Sequence, residues 1–127
     1  MDSPECEKLI RGYVDCYNDF DIAGMLEFLS DSVVFENESG GEVNARAEGK
    51  TEFKELAEQA AKLFSSRNQR ITSIETNGGV LIAYIAYKAT LAADLPNGLK
   101  EGQTIELNGK SEFQFEGGKI CYIKDIA

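Results

Sequence analysis

An aspartate near the carboxyl end of the chain is the residue best placed to take part in a chemical reaction. Residues 113–126, FQFEGGKICYIKDI, predict two alternating strands joined by a tight Gly-Gly turn. If the phenylalanines of the first strand face a core, alternation places Cys121, Ile123 and Asp125 on the inward face of the second strand. A carboxylate inside an apolar core is costly unless it is hydrogen-bonded or protonated, and such groups concentrate at functional sites. The alternative is a terminal charge that is solvated or paired with Arg or Lys.

Tyrosine hydroxyls are the second group of candidates. Tyr13 and Tyr17 lie one turn apart on the inward stripe of a predicted helix, and Tyr87 is the one polar tip on the apolar face of a long strand. These hydroxyls either bond to the backbone inside a core or converge on a ligand. The residues expected to line the interior are Tyr17, Ile85, Tyr87, Ser111, Phe113 and Ile123.

The chain contains no histidine, which narrows the chemistry further. It excludes His-based acid/base dyads, Ser-His and Cys-His triads, and most zinc or copper sites. Any proton transfer must use Asp, Glu, Tyr, Lys or Cys, and we expect no metal and no cofactor. The three cysteines are expected to be reduced thiols, because Cys6 and Cys16 would lie about 15 Å apart on one helix.

Composition and charge limit the partners. The 127 residues fit a single domain, residues 1–127, with one core. A net charge of −9 with scattered basic residues argues against nucleic acid and anionic membrane surfaces. No apolar run approaches the roughly 18 residues of a membrane span, and the acidic start MDSPECEKL lacks a signal-peptide core. We therefore expect a cytoplasmic protein.

Periodicity predicts three helices followed by a strand meander. Helical spacing covers residues 3–19, 22–30 and 51–65, and period-2 alternation begins at about residue 70. The predicted strands are 33–37, 43–47, 70–76, 80–92, 103–115 and 119–126. The two longest would each span roughly 40 Å if flat, so they must curve, and Asn108-Gly109 is the expected bulge. This order predicts an α+β fold with the helices on one face of a mostly antiparallel sheet.

The strand 80–92 is apolar on both faces. One alternation carries Leu81, Ala83, Ile85 and Tyr87, and the other carries Val80, Ile82, Tyr84 and Ala86. Four apolar residues are too many for a bare solvent face, so we expect a homodimer through the sheet. The alternative is that the helices cover this second face and that inside and outside are exchanged.

The chain resembles the nuclear transport factor 2-like superfamily, which includes ketosteroid isomerase and the SnoaL-like polyketide cyclases. The resemblance rests on YNDFDIAGMLEFLSDSVVFEN (17–37), AEGKTEF (47–53) and FQFEGGKICYIKD (113–125), in this order, and covers nearly the whole chain. It implies a curved, mixed or antiparallel sheet wrapped on three N-terminal helices, a cone-shaped, cystatin-like roll. It also implies a mostly apolar cavity and, frequently, a homodimer formed through the sheet.

The resemblance also implies site residues. Tyr13 falls where ketosteroid isomerase has its oxyanion-hole tyrosine, Glu36 falls at its general base, and Ser111 replaces its protonated aspartate. From the residues alone, Glu36 shares a strand face with Val34, and whether that face is interior stays open. Asp125 falls where SnoaL-like cyclases often carry an acidic residue, without the histidine that often accompanies it.

These observations predict a protein that binds a small apolar molecule in a cone. Isomerase or cyclase chemistry by proton transfer next to a carbonyl would use Tyr13 as the oxyanion donor and Glu36 or Asp125 as the base. The alternative is a non-enzymatic module that carries a ligand, dimerises or docks onto a larger enzyme. An open cone with two or more convergent polar groups would favour ligand binding or catalysis, whereas a filled cone would favour the scaffold.

Overall fold

A computed structural model describes residues 3–127. The elements are α1 Ser3–Asn18, α2 Ile22–Glu27, β1 Leu29–Ser39, β2 Glu42–Glu48, α3 Gly49–Ala61, β3 Phe64–Asn77, β4 Val80–Leu91, β5 Thr104–Glu116 and β6 Lys119–Ile126.

The strands form one six-stranded sheet in the order β2-β1-β6-β5-β4-β3. All neighbours are antiparallel except β1 and β6, which pair in parallel. The parallel contact arises because α3 and the β3–β5 meander separate β1 from β6 along the chain, so β6 returns beside β1 in the same direction. The predicted α+β class with a curved mixed sheet is confirmed.

The helices cover one face of this sheet, which we call the inner face. In α1 the buried residues Cys6, Ile10, Tyr13 and Val14 follow the 3.6-residue period, so one stripe of the helix meets the sheet. Helix α1 packs against β3, and α3 packs against β1. Leu81, Ala83 and Ile85 of β4 belong to the resulting core, so the alternation of β4 that was expected to face inward does so.

The remaining alternation of β4 lies on the opposite face, which we call the outer face. Ile82 is 7% exposed there although none of the described helices covers it, because its neighbours in the sheet shield it. Its cross-strand partners are Glu75 on β3 and Glu112 on β5. The homodimer expected through this face stays a prediction. Among the described residues, no helix is both long and apolar enough to cross a bilayer.

The third helix was predicted to end later, and the following strand to begin later, than they do in the structure. Helix α3 stops at Ala61, and β3 already begins at Phe64, six residues before the predicted start. The reason is pairing: Phe64 through Asn77 form a ladder with the whole of β4, and this ladder outweighs the weak helical pattern of residues 62–65. Phe64, expected on a helix, therefore lies on the strand.

The bulge expected at Asn108-Gly109 is wrong. The register between β4 and β5 is continuous there, and register shifts occur instead in the pairings of β1 with β2, β1 with β6, β3 with β4 and β5 with β6. Gly109 has a different role: a Cβ placed on it would lie 2.7 Å from the carbonyl oxygen of Ile126. The glycine thus allows the end of β6 to cross closely over β5.

The bulge between β5 and β6 also changes the inward set on β6. Tyr122 pairs with Gln114, but Ile120 pairs with Phe115, so the alternation slips by one residue at Cys121. Ile120 and Ile123 are therefore the fully buried residues of β6, while Cys121 is only half-buried. The expected inward position of Cys121 is wrong, and that of Ile123 agrees with the structure.

Candidate functional site

An open pocket of about 230 Å³ lies at one end of the inner face, and we call it the cone pocket. Its polar lining side chains come from α1, β1 and four other strands. The lining residues are Tyr17, Asn37, Ser39, Phe64, Gln69, Ile85, Tyr87, Leu107, Gly109, Lys110, Ser111, Asp125, Ile126 and Ala127. This volume exceeds the roughly 150 Å³ cavity that holds benzene in an engineered protein, so a molecule of one or two rings fits.

Asp125 is the only acidic side chain among the described residues that line the pocket. It lies on β6 directly opposite Ser111 on β5, and the Ser111 hydroxyl donates a hydrogen bond of 2.6 Å to its Oδ1. Burial raises the pKa of Asp125 to about 6, although the Ser111 hydrogen bond acts in the opposite direction. Ser111 thus fixes one carboxyl oxygen, and the group can gain or lose a proton near neutral pH.

Two phenols form the second polar feature of the pocket. The hydroxyl oxygens of Tyr17 on α1 and Tyr87 on β4 lie 2.9 Å apart, so one donates to the other. Burial raises the pKa of both phenols. They are therefore neutral near pH 7. In the arrangement where Tyr17 donates, the Tyr87 proton is free to bond to a ligand in the pocket.

An amide bridge fixes the end of α1 that carries Tyr17. Asn18 Nδ2 donates to the carbonyl oxygen of Gln69 at 3.1 Å, and the Gln69 backbone N–H donates to Asn18 Oδ1 at 2.7 Å. The side chain thus pairs with β3 as an extra strand residue would. This bridge sets the height of Tyr17 relative to the sheet and leaves Gln69 along the pocket wall.

Three of the predicted interior residues lie in the core behind the pocket and do not line it. Tyr13 is 5% exposed, and its ring packs against those of Phe53 and Phe113. Burial, and then the negative charge of Asp125, raise the pKa of Tyr13 well above its ordinary value. Phe113 and Ile123 are 1% and 0% exposed. Tyr13, the oxyanion donor that the resemblance implied, is thus separated from the pocket, whereas Tyr17 lines it.

Glu36 lies on the outer face, so the inward position that the resemblance implied for it is wrong. On β1 its neighbour Asn37 pairs with Asp125 and lines the cone pocket, whereas Glu36 pairs with Lys124. The Glu36 carboxylate accepts a hydrogen bond of 2.6 Å from the Tyr122 hydroxyl and one of 2.5 Å from Arg46. These hydrogen bonds, that from Tyr122 first, lower the pKa of Glu36. It is therefore an ionised, paired carboxylate away from the pocket.

Sequence reasoning missed Asn37, Phe64, Arg67 and Gln69. The last three lie in the part of β3 that was not assigned to a strand, and the alternation of Arg67, Gln69 and Ile71 is the signal that could have shown them. Asn37 could not be predicted because the sequence did not show which face of β1 is interior. No group of three or more Cys, Asp or Glu side chains that could hold a metal ion occurs within residues 3–127.

The fold is an α+β cone of the nuclear transport factor 2-like superfamily, and its pocket holds a partly buried carboxyl and a pair of phenols. The sequence profile of the SnoaL-like domain matches residues 10–123, and the chain belongs to this family. No curated protein matches the chain.

Solved structures with the same fold share little sequence with this chain. A proposed polyketide cyclase from Xanthomonas campestris pv. campestris is 20% identical with a TM-score of 0.82, over 98% of this chain and 90% of that one. AclR, a proposed hydroxylase from Streptomyces galilaeus, is 20% identical with a TM-score of 0.76, over 98% and 89%. TerC, co-crystallised with polyporic acid, is 19% identical with a TM-score of 0.77, over 98% and 91%. These likenesses confirm the fold, and the chemistry must be argued from the site.

Proposed function

We propose that this protein binds a carbonyl compound of one or two rings in the cone pocket and catalyses proton transfer at the carbon next to the carbonyl. The observation that carries the proposal is the position of Asp125 at the pocket wall, with its Oδ1 held by Ser111 and its Oδ2 not engaged in that bond. A carboxyl oriented in this way, in a pocket whose other lining side chains are neutral apart from Lys110, is suited to act as a general base.

The proposed step is an enolisation. The Asp125 carboxylate removes a proton from the α-carbon and becomes a carboxylic acid, while the C–H electron pair moves into the enolate and onto the carbonyl oxygen. Tyr87 donates a hydrogen bond to that oxygen, and Tyr17 supports Tyr87 by donating to it. Asp125 then returns its proton to another carbon in an isomerisation. In a ring closure, the enolate carbon instead attacks a second carbonyl of the same molecule, and Asp125 protonates the resulting alkoxide.

Three findings support this choice over a closed scaffold. The pocket is open rather than filled, and at least two polar groups converge on it. The pKa of about 6 lets Asp125 exchange a proton near neutral pH. Among the structural neighbours, two are described as proposed polyketide cyclases and one was co-crystallised with polyporic acid.

The test is deuterium exchange at the α-carbon of 2-tetralone, a two-ring ketone, followed by NMR in D₂O at pD 7–8. We expect the exchange rate with the wild-type protein to exceed the rate in buffer alone. Asp125→Asn should lose at least about 10²-fold because it cannot accept the proton, and Tyr87→Phe should lose up to about 10²-fold because one oxyanion donor is gone.

Glu36→Gln is the matched control, since it removes a carboxylate on the outer face and should exchange like wild type. Exchange no faster than buffer, or exchange unchanged in Asp125→Asn, would refute the proposal. Saturable binding of the ketone without exchange would instead favour a ligand carrier.

A further inference from the structure

Arg67 is a buried cation directly behind the phenol pair. It lies on the inner face of β3 and is 5% exposed. Its guanidinium carbon is 3.7 Å from the centroid of the Tyr17 ring and 4.4 Å from that of the Phe20 ring. Its Nε donates a hydrogen bond of 2.9 Å to the carbonyl oxygen of Tyr17. Within residues 3–127 no carboxylate forms an ion pair with it.

This arrangement is not needed to cap the helix. The backbone N–H of Phe20 already donates to the Tyr17 carbonyl, and that of Asp21 donates to Cys16, which is the Schellman pattern at the end of α1. In this pattern Phe20 has a φ of 58°, a position that favours glycine. A bulky residue in a strained backbone conformation is thus found where its ring covers Arg67. Buried charges are usually paired with an opposite charge, so two aromatic faces around an arginine indicate a use for its positive charge.

We propose that Arg67 is a positioning residue of the cone pocket: it clamps Tyr17 by its ring and its carbonyl, and its charge makes the Tyr17–Tyr87 pair a stronger hydrogen-bond donor to an anionic oxygen in the pocket. This inference rests on the proposed function for the identity of that oxygen as an enolate. The effect passes through the phenols, because Arg67 is not among the residues that line the pocket. The ligand class that benefits is one that carries an oxyanion, such as an enolate or a phenolate.

The charge of Arg67 acts on the two phenols in the direction that this proposal requires. The positive charge of Arg67 lowers the pKa of Tyr17 and of Tyr87, against burial, which raises both. The other titratable groups that act on the pair are Asp125, whose negative charge raises both values, and each tyrosine acting on the other. Among the described residues, Arg67 is therefore the one group whose charge makes the protons of the pair more acidic.

The first test does not depend on a ligand. 3-Fluorotyrosine is placed at position 87, where fluorination lowers the pKa into an accessible range, and is titrated by ¹⁹F NMR. Arg67→Met should lower its acid dissociation constant about tenfold, because an opposite charge nearby typically shifts a pKa by one unit or more. Arg67→Lys should restore most of the wild-type value. Arg70→Met is the matched control, since Arg70 is exposed on the outer face of the same strand.

The second test uses phenols of increasing acidity as enolate mimics, with toluene as the neutral reference. In Arg67→Met, affinity should depend less steeply on phenol acidity, with about tenfold weaker binding of the most acidic phenol and unchanged toluene binding. In a Tyr17→Phe background the same change should have a smaller effect on that discrimination, because only the direct action of Arg67 on Tyr87 remains. A purely structural role would weaken phenols and toluene equally, and that result would overturn the inference.

The two proposals fail in different ways. If wild type binds no phenol, the proposed function fails, and the titration at position 87 still decides whether Arg67 acts on the hydroxyls. An unchanged titration in Arg67→Met overturns the inference whatever the ligand data show. If Arg67→Met does not fold, Arg67→Gln removes the charge and keeps a donor for the Tyr17 carbonyl. It should give the same tenfold shift, and an unchanged titration there would overturn the inference.

Discussion

Replacing Asp125 with asparagine should make the protein more stable at neutral pH, and by an amount that depends on pH. An unfolded aspartate titrates at a pKa of about 3.9, whereas burial raises the pKa of folded Asp125 to about 6. Between these values the native state binds more protons than the unfolded state. The free energy of unfolding therefore falls as the pH rises from about 4 to about 6, and the contribution of this group is constant above that.

The magnitude follows from the shift. About two pKa units correspond to ~3 kcal/mol of unfolding free energy, all present below pH ~4 and lost by pH ~7. The asparagine of the Asp125→Asn variant does not titrate, and its amide oxygen can still accept the hydrogen bond from Ser111. The difference in unfolding free energy between this variant and wild type should therefore move by ~3 kcal/mol in favour of the variant between pH ~4 and pH ~7.

Urea denaturation at half-unit steps from pH 4 to pH 8 measures this difference. Asp15→Asn is the control, because Asp15 is an exposed carboxylate on α1, and its difference should stay within about 0.5 kcal/mol at every pH. A difference for Asp125→Asn that is constant with pH, or that moves against the variant as the pH rises, would refute the reasoning. It would show that the folded carboxylate is stabilised in its charged form.

Three further predictions concern the pocket, the contact between β5 and β6, and the outer face of the sheet. Ser111→Ala removes the hydrogen bond that lowers the pKa of Asp125, so ¹³C NMR of the carboxyl should show a higher pKa than in wild type, and an equal or lower value would contradict the geometry. Gly109→Ala should cost about 1–3 kcal/mol in urea denaturation because its methyl group meets the backbone of β6, whereas Gly79→Ala, with open space around it, should fall within about 0.5 kcal/mol of wild type. Light scattering should give twice the 14.0 kDa chain mass for wild type and the single mass for Tyr84→Glu, and a monomeric wild type would remove the dimer.

The sequence by itself determined the elements whose patterns are long and unambiguous. The period-3.6 stripe of α1 and the period-2 alternation of β4 and β5 fixed which side chains share a face, because side-chain direction depends only on local backbone geometry. For this reason the sequence alone predicted that four side chains point into one interior, namely those of Tyr17, Tyr87, Ser111 and Asp125. The α+β class followed from the order of the elements.

The tertiary structure decided what local patterns leave open. The face of Glu36 was undetermined because Val33, Val34 and Phe35 are apolar on both alternations, and only the register with β6 turned Asn37 inward and Glu36 outward. The first six residues of β3 became a strand because β4 offered a partner, and this brought Arg67 under Tyr17, fifty residues away in the chain. Such contacts depend on long-range pairing and on bulges that shift the alternation, and neither is set by the residues of a single segment.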